Sequence, residues 1–467
     1  MVDNSNHSAE ALREYSVEEA VPQAGRHYSF WDMVATWLGA NANTSSWYTG
    51  GCVAAAGVLG GLGVILIANP IAYAVMALIG YMGYKVGTTT MGLTRASFGI
   101  RGSILPSVLN SIQFMGWCAI NTFIAAISLS FLFNMAFGWP AYGEPGSWWV
   151  MVIGVVICSI LQILMTVLGG SYSIKYAQRI AVILLFGLLI WETVVILKTY
   201  PLADIFNWAP AADSRIPFGS AMDMMVAFSF GWIPAIAEFT RYTKTKSAST
   251  IAPMIGANFA LFWFAIIGMF GVVANAIANG VFDPNMSDPS SIVGSLGLGW
   301  VAFLILIFAT TTTNCINIYA AGMSATNIFP KLSEKKALWG TSVLTLLFSL
   351  IPVAIGSFYG AFTYFLVYIG LIFAPLLAIM IIDFYVIKKR NYDWSQAAKV
   401  GGAFWYSHGI NWIAIVSWCL GVAFYFVALN LSFIMNSMGA IYATVIVTSI
   451  VYLVANKLFN KKTYQSL

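Results

Sequence analysis

Aromatic rings, amides and hydroxyls placed inside apolar segments are the side chains of this 467-residue sequence that could do chemistry. Trp117 and Asn121 are four residues apart, so in a helix they lie on one face. An indole can stack on a flat heterocycle while a neighbouring amide recognises the N–H and C=O groups of its edge. Alternatively, the pair packs two membrane helices together through one hydrogen bond. The spacing alone leaves both interpretations open.

A second polar tract combines four consecutive threonines, at positions 310–313, with Asn314 and Asn317. Threonine hydroxyls can donate back to the carbonyl groups of their own helix, which would make the run structural. They are also neutral oxygen ligands, the kind that hard cations such as Na⁺ take. The tract therefore predicts either a packing feature or a contribution to a cation site.

The composition shows where these tracts lie. Hydrophobic residues make up 60% of the chain and charged residues only 8%, against roughly 25% charged residues in a soluble protein. This excludes a soluble enzyme, a disordered protein and a nucleic-acid-binding domain. His7, His27 and His408 all lie in polar segments, so we expect no histidine-based metal or catalytic site.

Twelve apolar runs are long enough to cross a membrane, which takes roughly 20 residues. They cover residues 30–57, 61–84, 103–136, 147–170, 176–198, 219–242, 251–280, 292–328, 337–357, 361–388, 409–431 and 437–458. With a cytoplasmic N-terminus, 20 of the 22 basic residues fall on the cytoplasmic side, and only Lys198 and Arg215 lie outside. Because basic residues concentrate on that side, the pattern predicts twelve spans and two cytoplasmic termini.

Spans 1 and 6 contain residues that interrupt a helix. Span 1 carries a polar, small-residue tract at 37–46, and span 6 carries Gly231 followed by Pro234, which lacks an N–H group. Such residues can merely kink a packed helix. Discontinuous helices at corresponding positions of two halves, however, are typical of secondary transporters built from inverted repeats. The paired breaks therefore predict a transporter and argue against a channel or facilitator.

These observations predict an all-α polytopic membrane protein with five domains or segments. They are a cytoplasmic segment (1–29), two inverted repeats of five spans (30–200 and 201–390), spans 11 and 12 (391–458) and a cytoplasmic tail (459–467). The expected location is the plasma (inner) membrane, and the expected partners are the lipid bilayer and a small molecule. We expect no nucleic acid and no obligate protein partner.

Acidic residues are missing from the polar tracts. Asp32, Asp223, Glu238 and Asp383 lie near span ends, and Glu192 lies in the outer half of span 5. Acidic side chains inside the membrane are the usual proton relays. Their positions therefore favour a neutral substrate coupled to Na⁺, with proton coupling through Glu192 or Glu238 as the alternative. No nucleophile, metal ligands or paired acids indicate a membrane enzyme.

The segment 95–106 resembles the loop before span 3 in nucleobase–cation–symport family 1. The similarity continues through Trp117, Gly231, Trp232 and residues 309–314, and reaches residues 375–384 and 409–412. It covers nearly the whole chain apart from the termini. The resemblance implies a LeuT-like fold of five plus five spans with two added helices, alternating access, and no organic cofactor.

By position, the resemblance implies a planar ring held between Trp117 and Trp232. The other implied substrate contacts are Asn121, Asn43 and the backbone of Gly231. The implied Na⁺ ligands are the carbonyl groups of Gly39, Ala42 and Ala309 and the hydroxyls of Thr312 and Thr313.

One position departs from the family pattern. A hydantoin-transporting member has a substrate-binding asparagine where this chain has Ile318, whereas here the asparagine is one residue earlier, at Asn317. The tracts around Asn121 and Asn317 look more like the purine–cytosine permease branch. The resemblance therefore favours a purine or cytosine, with allantoin, hydantoin or a pyrimidine vitamin precursor as the alternative.

Overall fold

The computed structural model describes residues 15–168, 170–329 and 331–459. Half of the predicted N-terminal segment and nearly all of the predicted C-terminal tail therefore lie outside the described residues. Regular structure in these ranges is helical, with two isolated β-bridges. Ten of the described helices are long and apolar enough to cross a membrane.

The helices fall at the predicted spans. Spans 2, 3, 4 and 5 are Val58–Val86, Ile104–Phe137, Trp148–Leu168 and Gly170–Thr199. Spans 7, 8, 10 and 12 are Ile251–Asn279, Trp300–Ile328, Phe358–Ile382 and Gly439–Phe459. Span 9 comprises Glu334–Ser349 and Ile351–Ile355, and span 11 is the shorter helix Trp412–Ala428. Short helices between spans are Thr90–Phe98, Leu202–Asn207, Lys246–Ser249, Pro289–Ser295 and Ser432–Met435.

Spans 1 and 6 are both interrupted, as predicted. Span 1 consists of two half-helices, Phe30–Asn41 and Thr44–Val53. Span 6 consists of Phe218–Trp232 and Ile236–Thr240, joined by a 3₁₀ turn that contains Pro234. Because span 1 is divided and span 11 has only 17 residues, the count of twelve membrane crossings stays a prediction.

One predicted boundary is wrong. The apolar run 292–328 predicts a single long span 8, but the chain forms the short helix Pro289–Ser295 and then a separate helix, Trp300–Ile328. Gly297 and Gly299, both with positive φ, turn the backbone between them. The short helix is buried through Ile292 and Val293, so its apolar pattern continues across the turn.

Each helix pairing has a counterpart in which every span n is replaced by span n+5, counting cyclically through spans 1 to 10. Span 1 packs on span 7, and span 6 packs on span 2. Likewise, span 3 packs on span 9, span 8 packs on span 4, and spans 3 and 8 pack on each other. These pairings are those expected of two inverted repeats. The limits of the repeats, 30–200 and 201–390, stay predictions.

Glycines allow both halves of span 1 to lie directly on span 7. A Cβ atom at Gly256 would clash with the carbonyl oxygen of Val34, in the first half-helix. A Cβ atom at Gly268 would clash with the carbonyl oxygen of Trp47, in the second. Glycine is the residue that permits such close backbone approach. Span 7 therefore holds the two halves of span 1 in place.

A buried arginine joins three segments on the face of the protein that carries the N-terminal segment. The guanidinium of Arg95 donates to Glu18 at 2.9 Å, to Asn327 at 3.1 and 3.3 Å, and to the carbonyl oxygen of Ala397 at 3.3 Å. Glu18 belongs to the N-terminal segment, Asn327 to the end of span 8, and Ala397 to the segment after span 10. We call this set the Arg95 junction.

Substituting Gly268 by alanine should destabilise the protein. The added methyl group overlaps the span 1 backbone, and overpacking of this kind costs roughly 1–3 kcal/mol. Gly340, in the span 9 helix, has open space around its Cα, so Gly340→Ala is the matched control and should be neutral or slightly stabilising. Thermal unfolding of the detergent-purified variants measures both. Equal melting temperatures would contradict the proposed contact.

Candidate functional site

Gln113, Trp117 and Asn121 form a buried stripe along span 3. They are spaced four residues apart and therefore share one face of the helix Ile104–Phe137. The side-chain N–H of Gln113 donates to the carbonyl oxygen of Gly231, at 2.8 Å. Sequence analysis missed Gln113, although its spacing from Trp117 could have revealed it. The stripe faces the end of the first half of span 6.

Trp117 lies directly against the span 6 backbone. A Cβ atom at Gly231 would be 2.7 Å from the indole nitrogen of Trp117, so only glycine fits there without a shift. The indole also makes edge-to-face contacts with Phe228 at 5.3 Å and with Phe365 at 5.0 Å between ring centroids. Trp117 thus joins spans 3, 6 and 10.

Trp232 is the last residue of the first half of span 6. Its ring meets Trp37, on span 1, edge to face at 6.3 Å, and Phe114 at 6.5 Å. The two helix breaks are therefore neighbours. Trp117 and Trp232 flank the same backbone, since one packs on Gly231 and the other follows it in the chain.

Asn314 of span 8 is the centre of a buried amide network that sequence analysis did not identify. Its NH₂ group lies within hydrogen-bond distance of the Gln162 side-chain oxygen at 2.6 Å, and of the Thr122 hydroxyl and the Cys118 carbonyl at 3.1 Å each. It therefore ties span 8 to spans 3 and 4. No sequence spacing could have shown this, because the three partners lie on other helices.

Asn121 and Asn317 both donate to the side-chain oxygen of Asn314, at 3.0 and 3.3 Å. The oxygen of Asn121 accepts from the Ser45 hydroxyl at 2.5 Å, so this amide also reaches the second half of span 1. The side-chain oxygen of Asn317 is buried and has no hydrogen-bond partner among the described residues. The same holds for the side-chain oxygen of Gln113.

Asn43 builds the helix break. Its side-chain oxygen accepts from the Ser46 N–H at 2.9 Å and its NH₂ donates to the carbonyl oxygen of Ala40 at 2.6 Å. It is therefore the N-cap of the helix Thr44–Val53. Both the oxygen and the NH₂ group of Asn43, a predicted substrate contact, therefore form hydrogen bonds within the break itself.

Three of the five predicted cation ligands form one cluster on span 8. The carbonyl oxygen of Ala309 accepts from the Thr312 hydroxyl at 2.8 Å and from the Thr313 hydroxyl at 3.0 Å. This is also the back-bonding that a purely structural run of threonines would show.

The other two predicted ligands lie at the end of the first half-helix of span 1. The N–H groups of Ala42 and Asn43 donate to the carbonyl oxygens of Leu38 and Asn41, so neither of them donates to Gly39. The C-terminal end of a helix carries partial negative charge, which favours a cation. Ala42 packs in the same hydrophobic cluster as Ala309, together with residues of span 5.

A family model described as "Permease for cytosine/purines, uracil, thiamine, allantoin" matches residues 20–454. The allantoin permease of Bacillus subtilis (strain 168) is 26% identical over 434 residues, covering 87% of this chain and 86% of the relative.

Two solved structures are similar over almost their full length. One is Mhp1, a nucleobase-cation-symport-1 family transporter, in a closed conformation with bromovinylhydantoin bound, with a TM-score of 0.75, 18% identity and 96% of both chains covered. The other is a Na⁺-coupled sialic acid symporter, with a TM-score of 0.57, 15% identity, and 96% of this chain and 94% of that one covered. At these identities the likeness concerns the fold, and it confirms the predicted LeuT-like architecture.

Replacing Asn314 by alanine should lower the melting temperature more than replacing Asn317, on the same turn of span 8. Asn314→Ala removes the acceptor of the Asn121 NH₂ group and a donor to Gln162, and a buried amide group left without a partner costs roughly 1–3 kcal/mol. Asn317→Ala removes only its bond to the oxygen of Asn314, and that oxygen keeps Asn121 as a donor. Thermal unfolding tests this difference, and equal losses would show that Asn314 is not the centre of the network.

Proposed function

Because this chain belongs to the family of permeases for cytosine, purines, uracil, thiamine and allantoin, we propose that it imports a neutral planar nucleobase-type substrate together with Na⁺. Import proceeds by alternating access across the plasma membrane, with both termini in the cytoplasm. The observation that carries the proposal is the stripe of Gln113, Trp117 and Asn121 packed against the interrupted span 6.

Stacking supplies the affinity in this proposal. Trp117 and Trp232 flank the Gly231 backbone, and a flat ring held between two indoles gains roughly 1–3 kcal/mol for each stacked face. Gly231 keeps the backbone close to Trp117, where a side chain would fill the space. A planar nucleobase suits such walls better than a bulky or charged solute.

Recognition of the ring edge comes from buried amides. The side-chain oxygens of Gln113 and Asn317 are buried acceptors without described partners, so ring N–H and amino groups are the complementary donors. Purines and cytosine carry such groups at their edges. Asn121 and Asn43 act beside them, with Asn121 exchanging or sharing its bonds to Ser45 and Asn314 when the substrate binds.

The Na⁺ proposal rests on the oxygens at the break of span 1 and on span 8. Gly39, Ala42, Ala309, Thr312 and Thr313 supply five neutral oxygens, and three of them are already clustered. An ion held by both spans binds one conformation better and so shifts the access equilibrium. The fold is shared with a Na⁺-coupled symporter, which supports this choice of ion.

A second candidate is a proton-coupled importer of allantoin or a related heterocycle. It is favoured by the 26% identity with an allantoin permease. Both candidates use the same aromatic walls, so they differ in the edge contacts and in the ion.

Ligand binding to the purified protein tests the proposed substrate class. Adenine, guanine, hypoxanthine, cytosine, uracil, allantoin and hydantoin are screened by thermal shift with and without Na⁺. We expect Trp117→Ala and Trp232→Ala each to weaken binding of the preferred base about 5- to 150-fold, with Trp117→Phe intermediate. Trp300→Ala, at an exposed indole, is the control. Unchanged affinity in both alanine variants would refute the stacking walls.

Uptake into proteoliposomes tests the ion. Thr312→Ala and Thr313→Ala should each raise the Na⁺ concentration for half-maximal uptake about tenfold, which corresponds to roughly 1.4 kcal/mol. Thr310→Ala is the matched control, because Thr310 belongs to the same run but donates to Leu306 and Ile307. If a Na⁺ gradient does not change the rate of uptake and an imposed pH gradient increases it, the proton-coupled alternative is correct.

A further inference from the structure

Glu192 of span 5 is an acidic residue that the proposed substrate and Na⁺ sites do not use. Its side chain is fully buried, and neither carboxylate oxygen has a hydrogen-bond partner among the described residues. An ionised carboxylate is strongly disfavoured in such a place, because nothing replaces its lost hydration. In this arrangement the side chain is therefore the neutral, protonated acid.

Span 7 is shaped to accept this side chain. A Cβ atom at Gly271 would clash with a carboxyl oxygen of Glu192, so the missing side chain of Gly271 makes the space that the acid occupies. The same Cβ atom would lie 2.8 Å from the side chain of Ile292, in the short helix Pro289–Ser295. Glu192 and Ile292 therefore meet at Gly271.

A cavity of about 440 Å³ is lined in part by residues of span 7 and of the same short helix. Its lining includes Asn275, which is one helical turn beyond Gly271, or about 6 Å along the axis. The lining also includes Ser291 and Ser295, which precede and follow Ile292 on the short helix. Amide and hydroxyl groups suit ordered water. Ile292 lies in the same short helix as Ser291 and Ser295 and packs at Gly271, so this helix connects the cavity lining with the surroundings of Glu192.

Few ionisable groups surround Glu192. Span 7 contains no acidic, basic, cysteine, tyrosine or histidine residue, and spans 4 and 8 contain only Cys158, Cys315 and Tyr319 of these types. The first half-helix of span 1 carries Asp32, which is exposed at its start, and span 5 itself ends with Lys198 in its last turn.

The segment between span 7 and the short helix contains two aspartates. Asp283 lines the cavity and caps the turn that follows it. Asp288 is buried and accepts hydrogen bonds from Ser290 and Ser291. Burial raises the pKa of Asp288 to about 6, despite those bonds. A pH effect of Glu192 must therefore be separated from that of Asp288.

We propose that Glu192 is a buried proton-binding site, and that its protonation is required for span 5 to pack on span 7. The site is distinct from the proposed Na⁺ site. Gly39 faces Gln178 and Val182 of span 5, and Val182 is ten residues, or about 15 Å, along the helix from Glu192. The proposal goes beyond the transport function and does not depend on the identity of the substrate.

The pH dependence of thermal unfolding, without substrate or Na⁺, tests the proposal. Above about pH 4.3 the unfolded chain releases the Glu192 proton while the folded protein keeps it, so the wild type loses stability as pH rises. Glu192→Gln has no such proton. We expect the melting temperature of the wild type to fall by several degrees relative to Glu192→Gln between pH 5 and pH 8. The control Asp288→Asn, which keeps the cap, should retain the fall caused by Glu192.

A measurement on the wild type covers the case in which Glu192→Gln does not fold. Dicyclohexylcarbodiimide modifies protonated carboxyls in apolar surroundings, and mass spectrometry of peptides locates the label. We expect labelling at Glu192 at pH 6 and a loss of at least about tenfold at pH 9. Parallel melting curves for wild type and Glu192→Gln, or no label at Glu192 at either pH, would overturn the proposal. Neither result would bear on the proposed substrate or Na⁺ site.

Discussion

Backbone N–H and C=O groups cannot remain without partners in the membrane interior, and the two interrupted spans create such groups at their breaks. Side chains around the site provide the hydrogen-bond partners that these groups need. The amide of Asn43 caps the second half of span 1, and Gln113 donates to the carbonyl oxygen of Gly231, one residue before the end of the first half of span 6. Both side chains belong to the proposed substrate site, so in that proposal the groups that satisfy the breaks also contact the substrate.

The scaffold around the breaks is held by two different kinds of contact. Span 7 approaches span 1 through glycines, where backbone meets backbone and there is little room for adjustment. Spans 3, 4 and 8 are joined by the Asn314 amide network, whose hydrogen bonds have direction and can be exchanged. Close backbone contacts therefore lie beside the broken span 1, whereas directional polar contacts join the spans of the proposed substrate site.

The paired breaks could be predicted from the sequence because Pro234 and the polar tract at 37–46 act through their local backbone chemistry. Gln113 could also have been identified from the sequence, because its spacing of four residues from Trp117 places both on one helix face. The role of Asn314 was not, since it depends on Gln162 in another span. The separate helix Pro289–Ser295 was also missed, because its buried residues continue the apolar pattern of span 8. The surroundings of Glu192 depend on Gly271, which sequence proximity could not connect to it.

The Arg95 junction makes three distant parts of the chain depend on one another. One guanidinium serves acceptors from the N-terminal segment, span 8 and the segment after span 10, and it is buried between them. These segments cannot move away singly without leaving a buried charge short of partners. Displacing any one of the three segments loses at least one hydrogen bond to a charged group, worth roughly 1.5–3 kcal/mol, so the junction couples the N-terminal segment to the end of span 8 and to the segment after span 10.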